Sequence, residues 1–167
     1  MIDHLQPKFA KPCEDLSVFA LYEYNFGVKL PKSFVDLMRS YNNASISAVF
    51  KTGLLPPEDD EFYIWKLASI GKHRFNHPYD LLVRSDYEHF NRKSIPRTVI
   101  VFGFDYRDWP FYLDLTDGGE GTVIVHENDD RLPNPDWADT KFAYPCVRIA
   151  DSFSDFIAKL TPDPDPP

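Results

Sequence analysis

Residues 98–125, TVIVFGFDYRDWPFYLDLTDGGEGTVIV, contain three short runs of apolar and β-branched residues separated by turn-forming residues. The runs cover residues 98–104, 111–115 and 122–125, and this composition is typical of β-strands. The second connection contains GGEG, which favours a tight hairpin because glycine adopts positive φ without a steric penalty. The segment therefore predicts a three-stranded antiparallel meander, whose apolar face needs a cover from the rest of the chain.

Apolar residues at helical spacing predict the elements that provide this cover. In residues 30–42 the spacing i, i+3, i+4, i+7 is filled by Phe34, Leu37, Met38 and Tyr41. Near the C-terminus, Ser152 is a candidate N-cap for a helix whose apolar positions are Phe153, Phe156, Ile157 and Leu160. Helices are also predicted over residues 14–25, ended by Gly27, and over residues 78–93. Their proposed buried positions are Leu16, Phe19, Ala20 and Tyr24 in the first, and Tyr79, Leu82, Val83 and Phe90 in the second.

Further strands are predicted at residues 47–55, 62–70 and 146–150, with Trp65 in the core, and a loop is predicted at residues 127–145. Together these elements predict an α+β domain with a mainly antiparallel sheet of about five to six strands, covered by N-terminal and C-terminal helices. We expect one domain over residues 1–161. The end of the chain, residues 162–167, is rich in Pro and Asp and is expected to be extended and mobile.

Composition argues against two classes of partner. The formal net charge is −8 and Lys and Arg are scattered, so a nucleic-acid backbone would be repelled. No apolar run approaches the roughly 20 residues that a membrane span requires, and the N-terminus lacks the apolar core of a signal peptide. We therefore expect a cytoplasmic protein that contacts neither nucleic acid nor membrane directly.

The residues that could support catalysis or metal binding lack the necessary context. His73 and His77 have the i, i+4 spacing of a zinc site, but no glutamate lies between them and Pro78 follows at once. Asp114, Asp117 and Glu120 do not match a calcium loop, and a polar hairpin explains them. The two cysteines, Cys13 and Cys146, are expected to be reduced, and Cys13 is followed by two acidic residues that oppose a thiolate. The sequence therefore predicts no enzyme, no cofactor and no metal.

Acidic loops that contain aromatic residues are the candidate contacts for a basic protein partner, because charge steers association and large rings anchor interfaces. The alternative is that the carboxylates are only solvated and that the rings of Trp109 and Trp137 pack against the sheet. The candidate residues are Asp59, Asp60, Glu61, Asp105, Arg107, Asp108, Trp109, Glu127, Asp129, Asp130 and Trp137.

Four segments together resemble the SUKH superfamily, the domain of fungal cell-wall assembly regulators and of many bacterial toxin-immunity proteins. The segments are LPKSFVDLMRSYNN at 30–43, IVFGFDYRDWPFYLDLTDGGEGTVIV at 100–125, HEND at 126–129 and IADSFSDFIAKL at 149–160. The chain departs from the family pattern at Asn43-Ala44, where Asn-Gly is usual, and at residues 106–109, which replace an expected glycine.

The resemblance implies a bent antiparallel sheet packed by helices and no catalytic centre. It further implies a protein that binds and neutralises a cognate toxin, such as a nuclease. Our leading hypothesis is therefore an immunity protein that acts by stoichiometric binding, and we expect it to be a monomer or weak homodimer. A basic toxin domain would suit the negative charge of this chain. The alternative is a regulatory or scaffolding module of a cell-wall or signalling pathway. A hydrolase or metal enzyme is the third hypothesis, which stoichiometric zinc in the purified protein would support.

Overall fold

The computed structural model describes residues 1–53, 60–71, 80–91, 95–126 and 146–165 of the 167-residue chain. The helices are α1 (Ser17–Phe26), α2 (Lys32–Tyr41), α3 (Leu81–Asn91) and α4 (Phe153–Lys159), and a 3₁₀ turn at Asp3–Leu5 precedes them. The strands are β1 (Ser45–Phe50), β2 (Phe62–Leu67), β3 (Val99–Phe104), β4 (Pro110–Asp114), β5 (Thr122–His126), β6 (Cys146–Ala150) and β7 (Thr161–Pro162). Among the described helices, none combines the length and the apolar character that a membrane span requires.

The strands form one curled sheet in the order β6-β5-β4-β3-β2-β1-β7, in which every described pair is antiparallel. The α+β class and the bent antiparallel sheet are therefore confirmed, as is the meander, since β3, β4 and β5 are consecutive neighbours. The described part of the chain has seven strands, slightly more than predicted. The additional strand is β7, formed by a segment whose prolines favoured an unpaired end.

The antiparallel hairpin between β4 and β5 is confirmed, but its connection is longer than the predicted tight turn, because the last strand pair is Asp114–Thr122 and residues 115–121 form the loop. Gly118, Gly119 and Gly121 have φ values of 73°, 68° and 70°, a region that other residues adopt only with strain. A Cβ atom built on Gly121 would lie 2.7 Å from side-chain carbons of Leu113 and Leu115, so this position also lacks the space for a side chain.

One face of the sheet, which we call the inner face, carries Phe50, Phe102 and Phe111. The ring of Phe156 on α4 lies 4.8, 5.6 and 6.0 Å from these three rings, centroid to centroid. Phe153 of α4 contacts Phe102 at 5.2 Å in an edge-to-face arrangement. We call these five phenylalanines the inner cluster; each is at most 1% exposed.

The predictions for α2 and α4 are confirmed. Phe34, Leu37 and Met38 of α2 are buried, and Phe34 lies 5.4 Å from Phe153 of α4. The Ser152 hydroxyl accepts a hydrogen bond from the Asp155 amide at 3.0 Å, which is the predicted N-cap.

Helix α3 packs beside β3 through polar contacts. In the described chain β2 pairs with β3 only at Lys66–Phe104 and Leu67–Gly103, so the first half of β3 has no β2 partner. Side chains of α3 form hydrogen bonds with the backbone of this part of β3. The Val101 amide donates to Ser85 Oγ at 2.9 Å, and His89 Nε2 lies 2.8 Å from the Val99 carbonyl oxygen.

The predicted apolar stripe of this helix is wrong. Val83 and Phe90 are exposed and Leu82 is only partly buried, whereas Ser85 and Glu88 are buried, and Tyr79 lies outside the described residues. The physical reason is that the buried side of α3 is mixed: Leu81 enters the core, while Ser85 and Glu88 satisfy polar groups of the sheet. The Tyr112 hydroxyl, for example, donates to the Glu88 carboxylate at 2.8 Å.

Helix α1 begins later than predicted, and its buried side also differs from the prediction. Leu16 and Tyr24 are exposed, and the buried residues are Val18, Phe19, Tyr22 and Phe26. These residues face the core and α3, to which the Tyr22 hydroxyl connects by donating to Asp80 at 3.2 Å. The helix ends at Gly27, as predicted, with φ of 69°.

Strands β1 and β2 agree with the predictions in position but not in length. β1 starts two residues earlier than predicted and ends at Phe50 rather than at residue 55, and β2 ends three residues earlier. Thr161 and Pro162 are extended, as expected, but they pair with Val49 and Ala48 of β1. The Asp163 amide continues this contact by donating to the Ser47 carbonyl at 3.0 Å. The division into a domain at 1–161 and a mobile tail at 162–167 stays a prediction.

Candidate functional site

The opposite face of the sheet, which we call the outer face, carries aromatic side chains at β2. These side chains are partly exposed in the described part of the chain. Tyr63 and Trp65 alternate with the buried Phe62 and Ile64, as neighbours on a strand do. The ring of Tyr106 lies 6.2 Å from Tyr63 and 6.4 Å from Trp65. We call Tyr63, Trp65 and Tyr106 the outer cluster. The prediction that Trp65 belongs to the core is wrong, because the alternation of β2 directs its ring to the outer face.

Each tyrosine of the outer cluster donates its hydroxyl to a carboxylate. Tyr63 donates to Glu61 Oε2 at 2.5 Å, and Glu61 Oε1 also lies 2.6 Å from Lys51 Nζ. Tyr106 donates to Asp163 Oδ2. Because the hydroxyls are occupied in this way, both rings are held in fixed orientations.

These contacts shift the protonation equilibria of both phenols in the same direction. The hydrogen bond to Glu61, together with burial and the nearby charges of Asp163 and Asp165, raises the pKa of Tyr63 to about 12. Burial and then the hydrogen bond to Asp163 raise the pKa of Tyr106 above its ordinary value. Hydrogen bonds from Lys51 and Tyr63 lower the pKa of Glu61. Both phenols therefore stay protonated beyond the pH at which an exposed tyrosine ionises, and they remain hydrogen-bond donors to their carboxylates.

The end of the chain forms one wall of a pocket beside these rings. Its volume is about 340 Å³, and it is lined by Tyr63, Tyr106, Asp163, Pro164 and Asp165. We call it the tyrosine–aspartate pocket. Asp163 is only 8% exposed, whereas Asp165 is exposed. An open groove of about 470 Å³ adjoins it at Asp163 and includes Trp65 and the exposed Phe9.

Asp60, one of the predicted contacts, points into the protein. It is 5% exposed, and its carboxylate accepts hydrogen bonds from the amides of Thr52 and Gly53 at 2.8 and 2.6 Å. The chain therefore uses Asp60 to hold the end of β1 near the start of β2. Its role in partner binding stays a prediction.

Asp105 has a similar position in the turn between β3 and β4. It is 5% exposed and accepts hydrogen bonds from the amides of Arg107 and Trp109 at 2.8 and 2.9 Å. Arg107 and Asp108 are exposed at the tip of this turn, and Trp109 is partly buried. Asp105 thus shapes a turn that presents other residues to solvent.

The structure brings Glu61 and the turn at residues 105–109 to the same region, because Glu61 binds Tyr63 and Tyr63 contacts Tyr106. The remaining predicted contacts lie outside the described residues. They are Asp59, Glu127, Asp129, Asp130 and Trp137, and the same holds for the candidate zinc residues His73 and His77.

The described residues contain no cluster of His, Cys, Asp and Glu that could hold a metal ion. Asp114 accepts from the Thr116 amide at 2.9 Å, and Glu120 accepts from the Ser33 hydroxyl, so both serve the hairpin region structurally. Cys13 and Cys146 are buried and unbridged, and burial raises the pKa of the Cys13 thiol, which disfavours a thiolate nucleophile.

Sequence reasoning missed Tyr63, Tyr106, Asp163 and Asp165 as site residues. A signal for Tyr63 existed, because strict alternation in FYIWKL already separates Tyr63 and Trp65 from Phe62 and Ile64. The contribution of Asp163 had no such signal, since it depends on a tertiary contact with Tyr106.

Comparison with known proteins gives one family. A family model described as the SMI1 / KNR4 family (SUKH-1) matches residues 16–159, a range that extends from just before α1 to the end of α4. No curated protein matches the chain. The matched range includes Tyr63 and Tyr106 of the tyrosine–aspartate pocket and ends before Asp163.

Proposed function

Because this chain belongs to the SMI1 / KNR4 family (SUKH-1), we propose that it is a non-catalytic protein-binding domain that acts by stoichiometric binding. The specific form of the proposal is an immunity protein that neutralises a cognate toxin, such as a nuclease, in the cytoplasm of the producing cell. The observation that carries the proposal is the outer cluster, a group of partly exposed aromatic rings surrounded by carboxylates.

Two physical arguments support a basic protein as the partner. Tyr and Trp are enriched at protein interfaces because they bury a large apolar area and retain a polar group at the edge. The net charge of −8 would accelerate encounter with a positively charged partner and slow encounter with nucleic acid.

The family match equally supports a regulatory or scaffolding module, which would also use an exposed aromatic surface. The two functions differ in their partners. An immunity protein binds one toxin and abolishes its activity, whereas a scaffolding module binds several cellular proteins and leaves their activities intact.

The test begins with affinity purification from the native lysate and from lysates that express neighbouring open reading frames. Each protein recovered is then purified and mixed with the chain to measure stoichiometry and inhibition. For an immunity protein we expect a complex of equal stoichiometry, inhibition that is complete at equimolar ratio, and restored growth on co-expression with the toxin.

Recovery of several regulatory or cell-wall proteins without inhibition would favour the scaffolding module. Inactivation of a partner by far less than one equivalent of the chain would contradict stoichiometric binding and indicate an enzyme. Absence of any partner in both kinds of lysate would contradict the proposed function itself.

A further inference from the structure

The tyrosine–aspartate pocket combines aromatic walls with negative charge. The rings of Tyr63 and Tyr106 line it at a centroid distance of 6.2 Å and an interplanar angle of 41°. The carboxylates of Asp163 and Asp165 line it from the chain end, and its lining contains no Lys, Arg or His. An aromatic wall beside carboxylates favours a cation, because ring faces and carboxylates are both negative.

Other ligand classes fit the pocket less well. An anion would be repelled by both carboxylates. A purely apolar side chain would remove water from Asp163 and Asp165 without replacing its hydrogen bonds. A carboxylate offers about four acceptor positions, and the described chain gives Asp163 two donors, the Tyr106 hydroxyl and the Asp165 amide. Asp163 therefore retains acceptor capacity for a donor from outside.

The adjacent Trp65 already binds a cation within the chain. Lys66 Nζ lies 5.7 Å from the centre of the Trp65 ring, which is a cation–π distance. The surface beside the pocket thus accommodates an ammonium group on an aromatic face.

We infer that the tyrosine–aspartate pocket receives a lysine or arginine side chain of the protein partner, held between the two tyrosine rings and the carboxylates of Asp163 and Asp165. This inference rests on the protein-binding function proposed above. It specifies that function by naming the surface and the chemistry of the residue that it recognises.

The first experiment uses a defined probe and does not require the partner. Short capped Gly-Ser peptides with one central arginine, lysine or citrulline are titrated into the isotopically labelled full chain and followed by NMR. Citrulline has nearly the shape of arginine but no charge, so it is a matched control. We expect saturable shifts at Tyr63, Tyr106 and Asp165 with the cationic peptides, and binding of the citrulline peptide roughly 3- to 30-fold weaker.

Two variants locate the binding. Asp165→Asn removes an exposed charge while keeping the backbone amide that donates to Asp163, and we expect arginine-peptide binding to weaken roughly twofold to fivefold. The matched control is Asp151→Asn, which removes the same charge after β6, at the opposite edge of the sheet, and should leave binding unchanged. Tyr63→Leu removes one aromatic wall and should weaken binding at least as much as Asp165→Asn, in samples whose spectra confirm folding.

The inference is overturned if arginine and citrulline peptides bind equally, if no peptide shifts these signals up to its solubility limit, or if Asp151→Asn weakens binding as much as Asp165→Asn. A purified cognate partner separates this outcome from failure of the proposed function. Equal affinity of the partner for the original chain and for Tyr63→Leu would show that the pocket assignment is wrong while protein binding stands.

Discussion

The two aromatic clusters of the sheet lie on opposite faces and differ in chemistry. The inner cluster consists only of phenylalanines, which are fully buried and contact one another. The outer cluster consists of two tyrosines and a tryptophan, which remain partly exposed, and its hydroxyls bind carboxylates. The inner rings lie on β1, β3, β4 and α4, whereas the outer rings lie on β2 and in the turn after β3. The sheet thus provides stability on one face and a surface suited to recognition on the other.

This difference follows from solvation. A ring without polar atoms gains most from complete removal from water, whereas a ring with a hydroxyl or an indole N–H retains a group that needs a partner. The inner cluster is therefore expected to dominate the free energy of unfolding. The outer cluster is expected to contribute little to stability. The four predictions below test this division, beginning with the largest effect.

Truncation of the central ring of the inner cluster should destabilise the fold most. Phe156→Ala removes contacts with Phe50, Phe102 and Phe111, and we expect the free energy of unfolding to fall by about 3–5 kcal/mol. Urea denaturation followed by circular dichroism measures this change. Phe90→Ala is the matched control, since Phe90 is 78% exposed on α3, and it should change stability by less than about 0.5 kcal/mol. Similar losses for both variants would contradict the assignment of the core.

Addition of a hydroxyl to the inner cluster should also be unfavourable. Phe102→Tyr places an O–H among Phe111, Phe153 and Phe156, where it displaces packed carbon atoms and finds only apolar neighbours. We expect a loss of about 1–3 kcal/mol in urea denaturation. An unchanged midpoint would mean that this face accommodates polar atoms and that the contrast between the two clusters is weaker than the structure indicates.

The reciprocal change on the outer face should have a smaller effect. Tyr106→Phe keeps the ring and removes the hydrogen bond to Asp163, so we expect a loss of about 1 kcal/mol. The same denaturation measurement applies, with Tyr24→Phe as the control because Tyr24 is 85% exposed on α1. A loss as large as that of Phe156→Ala would mean that the chain end and the outer cluster form part of the core.

The helices show which parts of this architecture the sequence can predict. The stripes of α2 and α4 were predictable because their buried sides contact apolar rings, and burial of apolar area produces the helical periodicity itself. The stripe of α3 was not predictable, because beyond Leu81 its buried side carries Ser85 and Glu88, which bind a backbone amide of β3 and the Tyr112 hydroxyl. When the buried side of a helix contains polar residues, its apolar residues do not show the helical periodicity that a prediction needs.

The candidate site also has one part that the sequence can predict and another that depends on tertiary contacts. The alternation of β2 was sufficient to place Tyr63 and Trp65 on the outer face, since the side-chain period of a strand is two. The role of Asp163 required the pairing of β7 with β1 and a hydrogen bond to Tyr106, 57 residues away in sequence. Acidic composition alone also could not separate Asp60 and Asp105, whose carboxylates bind backbone amides, from the exposed Asp108.

The last prediction concerns titration rather than truncation, and the inner cluster cannot share it because phenylalanine has no titratable group. The hydrogen bond to Glu61, burial and the nearby carboxylates together raise the pKa of Tyr63 from 10.0 to about 12 in the folded state, so the folded protein retains this phenolic proton more tightly than the unfolded chain. The resulting stabilisation is fully present below pH 10.0 and is lost as the pH rises to about 12. We expect a tyrosinate absorbance titration of the folded protein to contain a late step, whose amplitude Tyr63→Phe reduces by the contribution of one tyrosine. Glu61→Gln should shift this step to lower pH, because a neutral amide stabilises the protonated phenol less than a carboxylate does. If the late step keeps its full amplitude in Tyr63→Phe, the step belongs to other tyrosines. The hydrogen bond between Tyr63 and Glu61 would then not affect the titration.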